Sequence, residues 1–296
     1  MAQVFYDKTT VQVEYDGVSE TLLASNCTIN YNNSLQPLYV LGNKGSLGHV
    51  PAGPRVGDIS FDFLTSITGE VHGYPGNVIN YLASGIKHSI GSTGSGVLVK
   101  CAGISGWGFL NSYAFNAQSN AVSTSSASFG FFGGFDNPAG LTLPLSGRIT
   151  GSDVEAGSST STVATGVAHG RYTTLSSLYT TITDTANAAQ EVGELFAADY
   201  SISFAHNPIY MLGQETPLLT LYTNATESIN AVEDVYNSGL SYTGNETDYP
   251  LILESVDLNS LTDMRVTMVS GVQVGASVSV GLDDIARSQK TLTAAY

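Results

Sequence analysis

The sequence predicts a mainly β protein made of two tandem β-sandwich or barrel-like domains, each with a short helix. Only 12% of the 296 residues are charged, whereas Ser, Thr, Asn and Gly are abundant. Such a composition suits strands and turns better than solvated helices. Several segments also alternate apolar and polar residues with a period of two, and the pattern of one of them returns in the second half of the chain.

A strand-like segment in each half carries the first sign of a repeat. LLASNCTINY (22–31) aligns with LFAADYSISF (195–204) at an offset of 173 residues. In both copies three apolar residues at alternate positions form one face, and small polar residues form the other. The apolar positions are Cys27, Ile29 and Tyr31 in the first copy and Tyr200, Ile202 and Phe204 in the second. We therefore predict two equivalent half-buried strands.

A second pair of strand-like segments lies near the end of each half. Residues 113–133 align with 264–284 at an offset of 151 residues. Each is predicted to be a long strand, or a hairpin bent near 119–121 in the first copy and near Gly271 in the second.

A short box, Pro-x-Tyr-x-Leu-Gly, follows the first strand of each half. It occupies 37–42 and returns at 208–213, at an offset of 171 residues. Two pairs of segments in the same order, together with this box, predict an internal duplication. The tyrosines and glycines of the boxes are candidate assembly residues, namely Tyr39, Gly42, Tyr210 and Gly213.

The repeat divides the chain into a first domain over 1–135 and a second over 171–296. The intervening residues, 136–170, are rich in Gly, Ser, Thr and Pro and lack strong periodicity. This composition is typical of a linker, an extended arm or a surface loop.

One helix is predicted in each domain. The first covers 75–88, where a proline would open it and Gly85 would lie near its end. The second covers 224–239, with Asn224 or Thr226 as its cap and Gly239 as its stop.

A turn in the first half leads into a further predicted strand. The sequence VPAGPR (50–55) is expected to form a tight turn that places Arg55 at the start of the strand. Arg55 is then either a simple turn residue or part of an ion pair at a domain or subunit edge. In the strand, Ile59, Phe61 and Phe63 are predicted to face inward and Ser60 and Asp62 outward.

Charge argues against a protein that grips nucleic acid by its phosphates. The chain has 10 Lys and Arg against 25 Asp and Glu, for a net charge of −15. A negative wall would still suit a protein that DNA must slide past without sticking.

Motif content predicts neither an enzyme nor a cofactor or metal site. None of the five histidines has the spacing of a metal-binding or catalytic motif, and the Gly-rich run GSTGSG (91–96) lacks the Lys-Ser/Thr of a phosphate loop. The two cysteines, Cys27 and Cys101, are too few and too far apart for a metal motif. We also expect a cytoplasmic origin, because no secretory signal is visible and no apolar run approaches the roughly 20 residues of a membrane span.

The region 20–65 resembles tail tube proteins and related virion structural proteins of long-tailed bacteriophages. Those proteins carry a strand, an (Ile/Leu)-Tyr-x-(Leu/Ile)-Gly box, a Gly-(Pro/Lys)-Arg turn and a Gly-x-(Ile/Leu)-x-Phe strand. A weaker likeness at 195–213 lacks the Gly-Pro-Arg turn. The matching residues of the first copy are Leu38, Tyr39, Leu41, Gly42, Gly53, Pro54, Arg55, Gly57, Ile59 and Phe61. Of these, Gly53, Pro54, Arg55 and Gly57 join the box residues as candidate assembly residues.

The resemblance implies a structural protein of the virion, assembled in the host cytoplasm. Chains would form stacked rings around a channel, and three chains with two copies each would build a ring of six lobes. The partners would be further copies of the chain and other tail proteins such as sheath, baseplate or terminator. DNA would pass through the channel without specific binding. The loop at 43–54 and the segment at 136–170 would make contacts between rings.

Other functions stay open. Another tail component, such as a baseplate-proximal tube initiator, a hub or a terminator, would differ from a tube subunit only in how it assembles. A surface-array, pilus-like or adhesin β-sandwich would also suit strands rich in Ser, Thr and Gly, although the missing export signal counts against it. A hydrolase would need an activity that no motif indicates.

Overall fold

A computed structural model shows antiparallel β-sheet together with one helix among the residues that it describes. The described residues are 11–32, 34–42, 45–64, 66–67, 70–72, 74–94, 96–101, 104–118, 124–132, 162–163, 169–173, 191–212, 217–234, 249–256, 262–281 and 286–296. The mainly β prediction is confirmed. In chain order the elements are β1 (Val11–Tyr15), β2 (Val18–Leu22), β3 (Ala24–Asn32), β4 (Leu35–Tyr39), β5 (Ser46–Pro51), β6 (Val56–Leu64), β7 (Ser66–Ile67), β8 (Glu70–Val71), β9 (Tyr74–Pro75), α1 (Val78–Lys87), β10 (Val97–Cys101), β11 (Ile104–Gln118), β12 (Thr124–Phe132), β13 (Thr162–Val163), β14 (His169–Thr173), β15 (Glu191–Ile209), β16 (Leu219–Asp234), β17 (Tyr249–Val256), β18 (Thr262–Ser279) and β19 (Arg287–Ala295).

Both halves of the chain follow the same order of strand pairing. In the first half β1 pairs with β2, which continues into β3, and the order then runs β3, β6, β12, β11, β10 and back to β1. In the second half the order runs β14, β15, β16, β19, β18, β17 and back to β14. Each order closes on its starting strand, which is the connectivity of a β-barrel.

The two halves are joined through one continuous sheet. β11 pairs with β15 from Ser112 opposite Ser203 to Gln118 opposite Ala197. The buried apolar side chains of both halves form a single cluster that extends from Val11 to Ala294. The division into domains over 1–135 and 171–296 stays a prediction.

The strands of the first repeat pair alternate as the sequence predicts. Cys27, Ile29 and Tyr31 of β3 are half-buried, and the residues between them are exposed. In β15 the equivalent apolar side chains are buried and Ser201 and Ser203 are exposed.

The offset predicted for the second repeat pair is wrong. Phe61 of β6 lies between Cys27 and Ala127, and Ile229 of β16 lies between Tyr200 and Leu292. Because Cys27 corresponds to Tyr200, Ala127 corresponds to Leu292, an offset of 165 (292 minus 127) instead of 151. For β11 the offset is 160 (273 minus 113), because Tyr113 pairs with Ala127 and Gln273 pairs with Leu292. The two strands of this segment therefore have different offsets, which a single alignment could not give. In β12 the error of 14 residues (165 minus 151) is an even shift, after which a period-two pattern matches itself.

Of the two alternatives predicted for the second copy, the long strand is confirmed by β18, and the hairpin bent near Gly271 is wrong. Gly271 lies inside β18, at the point where the pairing partner changes from β17 to β19. β18 ends at Ser279 and β19 begins at Arg287.

The first predicted helix is confirmed with shifted ends. Asn77 caps α1, because its side-chain oxygen accepts a hydrogen bond from the backbone N–H of Asn80 at 2.8 Å. The helix continues past Gly85 to Lys87. Its buried face packs on the core between the two halves, with contacts to β1, β2, β11 and β18.

The second predicted helix is wrong. Residues 224–234 belong to β16, and 235–239 lie outside the described residues. Ala225, Glu227, Ile229 and Ala231 are buried at alternate positions, which is a strand pattern. The helix was predicted because Asn224 or Thr226 and Gly239 match cap and stop residues. The glutamate at a buried position also interrupts the apolar alternation that would have indicated a strand.

Candidate functional surface

The sheet that joins the two halves presents a polar surface to solvent. Strands β3, β6, β12, β11, β15 and β16 lie side by side, so that residues directly opposite one another form rows. With about 4.8 Å between strands, a row across six strands is about 24 Å long. One row consists entirely of hydroxyl side chains, Thr28, Ser60, Ser128, Ser112, Ser203 and Thr226, in this spatial order.

Two further rows run parallel to the hydroxyl row on the same surface. One contains Asn26, Asp62, Ser126, Ala114, Ser201 and Ser228. The other contains Thr124, Asn116, Asp199, Asn230 and Thr291. We call these three rows the polar face. None of their side chains is basic, all are at least partly exposed, and both halves of the chain contribute to them.

Asparagine side chains hold aspartates on this side of the sheet. Asn30 donates from Nδ2 to Asp58 Oδ2 at 2.9 Å, next to the hydroxyl row. Asn116 donates from Nδ2 to Asp199 Oδ1 across the pairing of β11 with β15. An amide donor orders a carboxylate without neutralising it, so this side of the sheet is negatively charged.

A buried ion pair lies beneath the junction of the two halves. Lys87 of α1 and Glu227 of β16 approach to 3.0 Å between Nζ and Oε1, with side chains 1% and 0% exposed. Tyr200 donates to Oε1 and Tyr296 donates to Oε2 of Glu227, each at 2.7 Å. Burial and the nearby carboxylate raise the pKa of Tyr200 well above its ordinary value, so its hydroxyl stays protonated as a donor.

This cluster fixes the structure rather than offering a reactive group. Each oxygen of the Glu227 carboxylate accepts a tyrosine hydrogen bond, and Lys87 also lies 5.7 Å from the centre of the Tyr296 ring. This ion pair was not predicted from the sequence. The signal that could have revealed it is a glutamate at a position where the alternation of β16 requires an apolar residue.

A second set of contacts joins the two halves beyond the point where the pairing of β11 with β15 ends. The backbone N–H of Leu110 donates to the Tyr222 hydroxyl at 3.0 Å, and the Leu110 carbonyl lies 2.8 Å from Nε2 of His206. Burial lowers the pKa of His206 and raises that of Tyr222, because it disfavours the charged form of each.

Residues 91–94 of the Gly-rich run contact β16 through backbone hydrogen bonds. Gly91 donates its backbone N–H to the Tyr222 carbonyl, and Gly94 donates to the Thr220 carbonyl, each at 2.8 Å. A Cβ atom on Gly94 would lie 2.6 Å from the Tyr222 ring. The loop therefore requires glycine at position 94 for close approach to the second half.

The described candidate residues of the two boxes, Tyr39, Gly42 and Tyr210, lie at the tips of hairpins. Tyr39 is exposed at the end of β4, and Gly42 has a φ of +93°, which favours glycine. Tyr210 follows β15, and Gly213 lies outside the described residues.

A fully exposed leucine marks each of these tips. Leu41 is 104% exposed between β4 and β5, and Leu212 is 106% exposed between β15 and β16. We call them the tip leucines.

The other candidates lie at the base of the β4–β5 hairpin. Gly53, Pro54 and Arg55 connect β5 to β6, and Gly57 pairs within the sheet with Tyr31 and Phe131. The predicted burial of Ile59, Phe61 and Phe63 and the outward position of Asp62 are confirmed. The ion pair of Arg55 stays a prediction.

Comparison of the sequence with models of known protein families and with curated proteins finds no match. Among the residues that the structure describes, no group of three or more His, Cys, Asp and Glu side chains could hold a metal ion. In the same part of the chain, no helix has the length and apolar character needed to cross a bilayer.

Proposed function

We propose that the chain is a structural subunit of a bacteriophage tail tube, in which the polar face lines a channel for DNA. The observation that carries the proposal is the polar face itself. Apart from Ala114, it consists of hydroxyl, amide and carboxylate side chains without a basic one, and it continues across both halves of the chain.

Such a surface suits a wall that DNA passes without being held. Lys and Arg side chains bind DNA by neutralising phosphates and releasing counterions, and the rows of the polar face contain neither. The aspartates repel phosphates, and the hydroxyl and amide groups keep the wall hydrated. An enzyme or a specific DNA-binding protein would need convergent or basic groups here.

The tip leucines support assembly into stacked rings. A fully exposed leucine at the end of a hairpin is a common element of a protein–protein contact when other apolar side chains surround it. Leu38, Tyr39, Val40 and Leu47 around Leu41, and Met211 and Leu218 around Leu212, are exposed as well. Both hairpins would then contact the next ring.

The repeated pairing order supports a ring in which three chains supply six lobes. The partners are further copies of the chain and other tail proteins, and the assembled particle is the virion. Rings of six equivalent lobes can close from three chains only if the two halves present similar surfaces to their neighbours.

The test is electron microscopy of the purified protein together with its mass in solution. We expect hollow tubes with six-lobed rings, each with the mass of three chains. Six chains per ring would keep the tube but place the second half outside as decoration. A chain that never polymerises would overturn the proposal in favour of another tail component or a surface-array protein.

A second test addresses the channel directly with two variants of equal charge change. Asp199→Lys with Ser201→Lys places lysines on the polar face, whereas Glu14→Lys with Ser19→Lys places them on β1 and β2. Tubes of the first variant should hold short duplex DNA in a nuclease-protected form that salt releases. Equal protection by both variants would contradict the assignment of the polar face to the channel.

A further inference from the structure

We infer that neighbouring chains join head to tail through antiparallel pairing of β18 in one chain with β3 in the next. This contact would repeat, between chains, the pairing of β11 with β15 inside the chain. The inference rests on the proposed function and deepens it by naming the edges through which a ring closes.

β3 in the first half is equivalent to β15 in the second half. Both strands pair on one side with a strand of the same kind, β6 and β16. On its other side, residues 197–203 of β15 pair with β11. The corresponding stretch of β3 pairs only with β6 among the described residues, so that its second edge is open.

β11 in the first half is equivalent to β18 in the second half. Tyr113 pairs with Ala127, and Gln273 pairs with Leu292. Since Ala127 corresponds to Leu292, Tyr113 corresponds to Gln273. Residues 112–118 of β11 pair with β12 and β15, whereas 272–279 of β18 pair only with β19 within the described part of the chain.

The chain thus has one satisfied contact and two open edges of the same kind. The open edge of β3 matches the edge that β15 uses, and the open edge of β18 matches the edge that β11 uses. Long open edges invite pairing with another chain, and a head-to-tail contact closes into a ring when its rotation divides the circle.

Burial at equivalent positions indicates that the contact is missing from the single chain. Tyr200 and Ile202 of β15 are 3% and 1% exposed beside β11, whereas Cys27 and Ile29 of β3 are only half-buried. On β18, Val274, Val278 and Val280 are 61%, 62% and 74% exposed. A second copy of the chain would cover both sets.

The internal contact also gives the register between chains. Asn116 is opposite Asp199, and it pairs with Thr124 of β12. In the repeat, Asp199 corresponds to Asn26 (199 minus 173), and Thr124 corresponds to Gln289 (124 plus 165). Gln289 pairs with Ser277 of β18, so Ser277 corresponds to Asn116. Asn26 of one chain is therefore expected opposite Ser277 of the next.

Thiol cross-linking tests this register. Cys27 and Cys101, whose Sγ atoms lie 2.6 Å apart, are first replaced by serine so that no native thiol can react. Asn26→Cys and Ser277→Cys are then introduced into this variant. A short bis-maleimide should link chains into a ladder that ends at the ring mass. The matched control, Asn32→Cys with Ser277→Cys, moves one thiol six residues, or about 20 Å, along β3 and should give no ladder.

A charge-reversal pair tests the same contact without cysteine. Asn26 and Ser277 are both exposed, so that their substitution leaves the core intact. Asn26→Glu with Ser277→Glu should weaken ring formation up to about five-fold, and Asn26→Lys with Ser277→Glu should restore it.

The outcomes separate this inference from the proposed function. If tubes form but cross-linking gives no ladder, and the charged substitutions leave ring formation unchanged, the inference is overturned and the proposed tube function is retained. Closed cross-linked rings that never stack would support the inference and overturn the tube. A chain that remains a monomer at all concentrations would overturn both.

Discussion

Lys87 and Glu227 form a buried ion pair that joins the helix of the first half to a strand of the second, 140 residues away in sequence. Two tyrosine hydroxyls satisfy the carboxylate, and one of them belongs to Tyr296, which follows β19. Buried charges cost several kcal/mol of desolvation each, so such a pair persists only when its geometry and partners are complete. The pair therefore fixes how α1 sits across the two halves.

Removing only the lysine of this pair should be strongly destabilising. Lys87→Met leaves the Glu227 carboxylate buried without its cation, which we expect to cost about 3–5 kcal/mol in the free energy of unfolding. The double variant Lys87→Met with Glu227→Gln keeps an acceptor for the tyrosines and removes the charge, so it should lose less than the single variant. Urea denaturation measures both, and Lys100→Met serves as the control, because Lys100 is partly exposed. A double variant less stable than Lys87→Met would contradict this account.

A methyl group at position 94 should loosen the loop that binds β16. Gly94→Ala would place Cβ within 2.6 Å of the Tyr222 ring and force the loop or the ring to move. We expect a loss of about 1–3 kcal/mol, as for other overpacked sites. Gly53→Ala is the matched control, since a Cβ there meets no atom within 4 Å. Thermal unfolding compares the two, and equal melting temperatures would show that the close approach is not needed.

How far the sequence predicts this structure depends on the kind of signal. Alternation alone identified β3, β15 and β6 and the inward positions of Ile59, Phe61 and Phe63. At the predicted positions of these strands, apolar and polar residues alternate without exception. The pattern can therefore be recognised without knowing which strands pair with them.

Other features depend on partners that are distant in sequence. β16 was mistaken for a helix because cap-like and stop-like residues flank it and Glu227 interrupts its apolar alternation. Glu227 can occupy a core position because Lys87 and two tyrosine hydroxyls, distant in sequence, contact its carboxylate. The polar face was not predicted either. Its rows arise when the registers of six strands are combined, and a period-two pattern cannot supply those registers.

Acidification should destabilise the fold through His206. Burial holds the pKa of His206 in the folded chain below its value in the unfolded chain, near 6.5. The unfolded chain therefore binds more protons as the pH falls below about 6.5, and this part of the stability is lost as the pH approaches the folded pKa. His206→Gln should flatten this dependence while keeping a donor for the Leu110 carbonyl, whereas His49→Gln, at an exposed site, should leave it unchanged. Urea denaturation between pH 5 and about 7.5 measures the slope, and an unchanged slope in His206→Gln would rule out this histidine as its source.

The tip leucines should control stacking without affecting the folded chain. Leu41→Ser with Leu212→Ser removes two fully exposed side chains, so we expect a change of less than about 0.5 kcal/mol in the free energy of unfolding. If the hairpins contact the next ring, each tip loses apolar area that is buried only in the tube, and the variant should form rings but few or short tubes. Thr223→Ser with Asn224→Ser, at exposed polar positions on β16, is the control and should form tubes of normal length. The measurements are the tube lengths in electron micrographs and the mass of the rings in solution. Tubes of normal length from the leucine variant would exclude the hairpin tips from the contact between rings.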